Sequence, residues 1–145
     1  MNYTYEYPRP AVTVDCLIYR MAPDLQILLI ERKHSPFQNY WAIPGGFVEM
    51  EEDLIEAAHR ELEEETGLKG LTLYQLYTFG KPARDPRGRV ISVVFWGKCD
   101  HLSIVVAGDD AKKAEWFSIV QLPKLAFDHN QILNFAMKNI PDLRQ

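Results

Sequence analysis

Apolar residues in this chain recur with two periods, and the switch between them marks its elements. From Ala11 to Tyr19 they alternate and include β-branched residues, which predicts a strand. Leu25 to Arg32 predicts a second, mostly buried strand, and Pro23-Asp24 between the two suits a turn. Trp41-Ala-Ile-Pro44 predicts a short strand, followed by Gly45-Gly46, where glycines let the backbone turn tightly and come close to a ligand. Further strands are predicted at Leu71 to Phe79, Arg89 to Cys99, Leu102 to Ala107 and Ala114 to Phe117. Ser35 to Trp41 and Gly80 to Gly88 read as loops. Glu52 to Thr66 takes helical spacing and ends at Gly67, suited to a left-handed cap. Asp128 to Asn139 does the same, with Asp128 as N-cap and Ile132, Leu133, Phe135 and Ala136 inward. Mixed strands with two principal helices predict an α/β fold, a mixed β-sheet sandwiched between α-helices.

The first helix places acidic residues where apolar ones belong. At about 100° per residue from Leu54, the residues Ile55, Ala58 and Leu62 fall between about 40° and 100° and define the core stripe. Glu65 falls at about 20°, Glu61 at about 340° and Glu64 at about 280°. Carboxylates on an apolar stripe are costly unless their desolvation is compensated, and neighbours of like charge repel. A hard divalent cation, which prefers oxygen donors, removes both problems. Helical geometry alone leaves two readings open, a metal site or a Glu-rich helix with solvated carboxylates. The second fits Glu56 and Glu63, opposite the core, and fits Glu61 and Glu65 poorly.

The segment Gly46 to Leu68 resembles the Nudix box, Gly-x5-Glu-x7-Arg-Glu-apolar-x-Glu-Glu-x-Gly-apolar. Gly46, Glu52, Arg60, Glu61, Leu62, Glu64, Glu65, Gly67 and Leu68 meet its fixed positions. The resemblance implies a Nudix hydrolase, which cleaves a nucleoside diphosphate linked to another group with Mg²⁺ or Mn²⁺. It implies Glu61 and Glu65 as primary metal ligands, Glu64 as a shared ligand or outer-shell base, and the Gly45 carbonyl in the metal shell. It implies that Arg60 pairs with Glu52 and holds the loop onto the helix, which suits a planar guanidinium. A later acidic residue supplies a base or ligand in many family members; Asp110 is the candidate, against the plain reading of Asp109-Asp110 as a solvated turn. Asn39 stands where family members often carry Gly, and Asn tolerates a left-handed backbone.

Composition narrows the class. A chain of 145 residues, 47% hydrophobic and 25% charged, suits one domain, residues 1–145. No apolar run approaches the ~20 residues that span a bilayer, so no membrane is expected. The start shows no signal peptide, and Cys16 and Cys99 sit in apolar runs that suggest buried free thiols; a cytoplasmic protein is expected. A net charge of −4 argues against nucleic-acid binding. An acidic protein acting on phosphates needs local positive charge, from a metal or from placed arginines.

Such arginines stand in one loop, Arg84, Arg87 and Arg89, with Lys81 nearby. Guanidinium groups bind phosphate oxygens in pairs, although Asp85-Pro-Arg-Gly88 is also good turn chemistry by itself. The wording Arg-Asp-Pro-Arg-Gly-Arg-Val-Ile-Ser, with Arg32-Lys and Pro44-Gly-Gly-Phe-Val-Glu, resembles the ADP-ribose pyrophosphatase branch of Nudix proteins. It equally resembles the ligand-sensing Nudix domain of NAD-related regulators, which carry a winged-helix domain that a chain ending at Gln145 is not expected to hold. Trp41 and Phe47, flanking the glycines, are the candidate platform for adenine, with Phe37 and Tyr40 nearby; the alternative is that they are core. The expectation is therefore hydrolysis of ADP-ribose, a small-molecule nucleotide diphosphate, to AMP and ribose 5-phosphate. The alternatives are a house-cleaning nucleoside triphosphate pyrophosphatase and a non-catalytic nucleotide-sugar sensor. Family members are often dimers, and Tyr3 to Pro10 is the segment expected to cross to a partner in a homodimer.

Overall fold

The strand Ala11–Met21 (β1) is the spine of the sheet, because its alternate side chains are buried on both faces. A computed structural model describes residues 2–100, 103–108 and 111–144. β1 runs parallel to Val90–Lys98 (β6) along its whole length, from Ala11↔Val90 to Tyr19↔Lys98. Its other edge changes partner. Near its end it pairs antiparallel with Leu25–Arg32 (β2), from Tyr19↔Ile27 to Met21↔Leu25. Near its start it pairs with Gly45–Phe47 (β4), through Thr13↔Phe47, Val14↔Gly46 and Asp15↔Gly45. Trp41–Ala42 (β3) and Ala111–Ser118 (β7) both pair with β2, and Tyr74–Phe79 (β5) closes the far edge on β6.

Two helices cover the two faces, as the alternation predicts. Val14, Cys16 and Ile18 of β1 pack with Ala57, Ala58 and Leu62 of the helix Leu54–Thr66 (α1). Leu17 and Tyr19 pack with Ile132, Leu133 and Ala136 of the helix His129–Asn139 (α2). Burying a side chain such as Leu62 contributes about 2 kcal/mol, so each helix is held chiefly by its apolar stripe.

The helix α1 starts two residues later than the spacing predicts. Asp53 accepts from the Leu54 N–H at 2.6 Å, and Glu56 returns to the Asp53 N–H at 3.2 Å, a capping box legible as Asp-x-x-Glu. Glu52 is thereby left in the preceding loop. Gly67 ends the helix with φ 77°, as expected, and Asn39 has φ 71°. Gly45 and Gly46 do not form a turn. They lie in β4, and what demands glycine there is close approach rather than backbone angle. Residues 103–107 form no strand, and Leu102 lies outside the described residues. Instead this segment closes the end of α1: the Val106 N–H donates to the Thr66 carbonyl at 2.9 Å and the Gly108 N–H to the Glu65 carbonyl at 3.1 Å. Cys16 and Cys99 are buried and unbridged, and among the described residues no helix is long and apolar enough to cross a membrane.

Candidate active site

Where β1 exchanges β2 for β4, a cavity of about 520 Å³ opens at the sheet's edge. One wall is acidic. Glu65 is 7% exposed and accepts the Gly45 N–H at 2.8 Å. Glu61 lies beside Gly46, where a Cβ would stand 2.6 Å from its Oε2. Arg60 organises this wall. Its Nε and Nη2 donate to the two oxygens of Glu52 at 2.9 and 2.5 Å, its Nη1 to Glu61 at 2.8 Å and to Glu64 at 3.3 Å, and its Nη2 also to the Phe47 carbonyl at 3.1 Å. The expected Arg60–Glu52 pair is therefore formed, and it staples the glycine loop to α1. Hydrogen bonds from Arg60, helped by the Glu49 backbone, hold the Glu52 carboxyl down at about 2.

The opposite wall is basic and aromatic. Arg87 is chelated by Asp85, with Nη2 to Oδ2 at 2.7 Å, and its guanidinium lies 4.8 Å from the Phe47 ring centre and 5.2 Å from that of Phe127. Arg32 lies 4.8 Å from the Phe127 ring, and its Nε donates to the Pro36 carbonyl at 2.8 Å. Burial, and Arg87 next, lower its affinity for a proton, as expected for two cations sharing one pocket. The floor carries Asp15, which accepts a hydrogen bond from the Ser92 hydroxyl. His129 accepts the Ile43 N–H at Nδ1, 3.0 Å away, and its Nε2 stands 3.7 Å from Asp15.

The acidic wall suits a hard cation by donor chemistry, since Glu61 and Glu65 offer oxygen ligands and the absent Gly46 Cβ leaves room beside Glu61. Among the described residues, however, no three His, Cys, Asp or Glu side chains gather closely enough to hold an ion. Arg60 holds Glu61, and Glu64 is exposed outside the cavity.

The NUDIX domain model matches residues 9–135 of this sequence, most of its length. The chain belongs to the NUDIX domain family. It is 48% identical over 136 residues to an ADP-ribose pyrophosphatase of Methanocaldococcus jannaschii, covering 91% of this chain and 76% of that protein. It is 38% identical over 140 residues to the ADPR-responsive transcriptional repressor NtrR of Acinetobacter baylyi, covering 93% of this chain but only 56% of the repressor. Among solved structures it matches the NUDIX domain of Shewanella oneidensis NrtR, a cocrystal with ADP ribose, with a TM-score of 0.84 and 28% identity over 94% of this chain and 93% of that one.

Against this NUDIX frame the expected site residues separate. Glu61, Glu65, Gly45, Arg60, Phe47 and Arg87 line the cavity together. Arg84 also reaches it, but its side chain is 4% exposed and its guanidinium is chelated by Asp128 at 2.9 and 2.7 Å, so it does not present itself to a phosphate as expected. Arg89 and Trp41 do not line the cavity. The Arg89 carbonyl receives the Ala11 N–H, and Trp41 packs edge-on against Phe117 at 4.7 Å, so for Trp41 the core reading wins over the adenine platform. Asp110 lies outside the described residues. The sequence reading missed Asp15, Phe127 and His129 as site residues, and it named Arg32 only for its family wording. An acidic residue amid the buried run of β1 was a legible signal for Asp15; the others carry no local pattern.

Two consequences are measurable. Gly45→Ala drives a methyl against the Asp15 carboxylate and, in rigid backbone, into the Val14 carbonyl and to 2.9 Å from the Asp15 Cα, whereas Gly46→Ala meets only the movable end of Glu61. Gly45→Ala is expected to lose β4 and lower the melting temperature sharply. Gly46→Ala should melt within about 3 °C of the wild type yet turn over roughly 10- to 100-fold more slowly, because Glu61 is displaced. Equal melting temperatures for the two would refute this division.

The second consequence is acid sensitivity. Burial keeps His129 neutral by lowering its pKa below 6.5, so the unfolded chain binds a proton that the native one refuses. This contribution is complete above about pH 6.5 and fades as the pH falls below it. Glu52, held at about 2 against an ordinary 4.5, adds a second, separate loss as the pH falls from 4.5 towards about 2. Melting temperatures measured from about pH 8 to about pH 2 should fall in two stages, and a flat profile between pH 7 and about 5 would contradict a buried neutral imidazole.

Proposed function

We propose that this NUDIX protein hydrolyses ADP-ribose at its diphosphate bond, with water, to AMP and ribose 5-phosphate. The observation that carries the reading is the polarity of the cavity: carboxylates of α1 face two arginines and two phenyl rings across a space that suits a nucleotide. Similarity to an ADP-ribose pyrophosphatase over most of the chain supports the same substrate.

Glu61 and Glu65 are the residues that would hold Mg²⁺ or Mn²⁺, with the Gly45 carbonyl as a further donor and Glu64 at the outer rim. Such an ion polarises a phosphoryl oxygen and offsets the charge of the diphosphate. Arg60 aligns Glu61 and keeps the loop closed on the helix. Arg87 meets the diphosphate from the opposite wall, and Arg32 joins it there. Phe47 and Phe127 offer flat apolar faces for adenine. Water is activated by a carboxylate, for which Glu64 and Asp110 are the candidates. In this reading residues 1–145 act as one unit. The exposed tyrosines 3, 5 and 7 are the surface through which a homodimer would form, and buried free thiols fit the cytoplasm.

Likeness to the ADPR-responsive repressor favours a second reading, a nucleotide-sugar sensor that binds without turnover. The two part on one experiment. Product release is followed for ADP-ribose, NADH, nucleotide sugars and nucleoside triphosphates with Mg²⁺, Mn²⁺ or EDTA. Metal-dependent preference for ADP-ribose upholds the proposal. Preference for triphosphates moves the substrate to the house-cleaning class. Tight ADP-ribose binding with no turnover replaces the hydrolase by the sensor.

A further inference from the structure

Three consecutive residues at the start of α2 each hold a different part of the cavity. Phe127 has φ 51°, a left-handed conformation that non-glycine residues rarely adopt unless their surroundings impose it. Its ring centre lies 4.8 Å from the guanidinium of Arg32 and 5.2 Å from that of Arg87. Asp128 stands at the N-cap position, yet its side chain makes no cap hydrogen bond; both oxygens accept from Arg84 instead. His129 receives the Ile43 N–H just before β4.

The arginine loop mirrors this arrangement. Arg84 and Asp85 are neighbours; the first is chelated by Asp128 and the second chelates Arg87. Arg87 in turn lies over Phe127, the residue next to Asp128. The loop and the helix start are thus joined at two adjacent points, one buried and one facing the cavity. The buried pair does not sit in solid core. A second cavity of about 510 Å³, lined by Lys81, Pro82, Pro86 and Gln131 among others, also borders Arg84, Asp128 and Phe127. Arg84 and Phe127 line both cavities, and Asp128 lines the second.

We propose that Arg84 and Asp128 are positioning residues that set substrate affinity: their ion pair fastens the arginine loop to the start of α2 and so fixes Arg87 against Phe127. This rests on the assignment of the cavity to ADP-ribose. Arg84 acts through Arg87 and does not touch the substrate. Its loss therefore weakens ground-state and transition-state binding alike, which raises KM and leaves kcat nearly constant.

Removing one partner strands a buried charge and endangers the fold, so the main variant removes both charges, Arg84→Gln with Asp128→Asn. Asp128→Glu, which keeps the charge but changes the reach, is the second variant should the double one not fold. Hydrogen exchange of amides 81–88, the calorimetric Kd of ADP-ribose in EDTA, and KM and kcat with Mg²⁺ are compared with the wild type. Exchange in 81–88 is expected to quicken by about tenfold or more. Kd and KM should both rise about tenfold, with kcat changed by less than about threefold. Arg87→Ala should cost much less affinity in the double-variant background than in the wild type. Unchanged exchange, a Kd within about twofold of the wild type, or an equal cost of Arg87→Ala in both backgrounds overturns the inference. A wild-type protein that binds ADP-ribose without cleaving it removes the hydrolase reading but leaves the positioning role to be decided by exchange and Kd. A wild-type protein that does not bind ADP-ribose removes the assignment on which both rest.

Discussion

Glu65→Gln is expected to lower kcat by about three orders of magnitude, roughly 4 kcal/mol of transition-state stabilisation, with little change in melting temperature. The asymmetry follows from the geometry. Glu65 is 7% exposed and accepts the Gly45 N–H at 2.8 Å, and a glutamine carbonyl can accept the same bond. What the substitution removes is the negative charge, placed on the one helix face that meets the cavity. In a cavity shared with Glu61, that charge is what would hold a divalent cation during the reaction. Steady-state turnover of ADP-ribose with Mg²⁺ reads the first effect and a thermal melt the second. Glu63→Gln, on the solvent side of the same helix, is the control and should turn over as the wild type does. Wild-type turnover by Glu65→Gln would remove this residue from the metal assignment.

Arg60→Ala should damage both stability and turnover. One guanidinium holds Glu52, Glu61, Glu64 and the Phe47 carbonyl. Its loss leaves two largely covered carboxylates, those of Glu52 and Glu61, without their cation. The loop before α1 then loses its guanidinium tie to the helix, and Glu61 loses the group that orients it. A fall in melting temperature of about 5 °C or more is expected, with kcat down about 100-fold. Arg60→Lys should recover part of the stability and little of the rate, because an ammonium group cannot engage Glu52 bidentately while holding Glu61. If Arg60→Lys turns over as the wild type does, fixed geometry is not what Arg60 supplies.

Both predictions concern residues that could be found without coordinates, and the reason is locality. Glu61, Glu65, Arg60 and Gly67 lie within a few turns of one helix, where a period of about 3.6 residues converts spacing directly into direction. The chain therefore determined α1, the face on which its carboxylates stand, its αL cap and the membership of a family. It also determined the alternating strands β1, β2 and β6, since a side chain's direction along a strand depends only on parity. Even the capping box at Asp53 and Glu56 was there to be read.

What the chain could not determine are the meetings across long separations. Gly45 and Gly46 looked like a turn because nothing near them in sequence shows that β1 lies alongside. Asp128 looked like a helix cap because its actual partner, Arg84, is 44 residues away. Trp41 and Phe127 are both aromatic and both near glycine or helix boundaries in sequence, yet one packs on Phe117 in the core and the other meets two arginines. His129 and Asp15 meet only because the start of α2 is packed on the sheet beside Ile43. In each case local preference allows several partners, and packing of the sheet between its helices selects one. The acidic half of the cavity was thus written in a single helix, whereas its basic and aromatic half exists only once the arginine loop, β4 and the start of α2 are brought together.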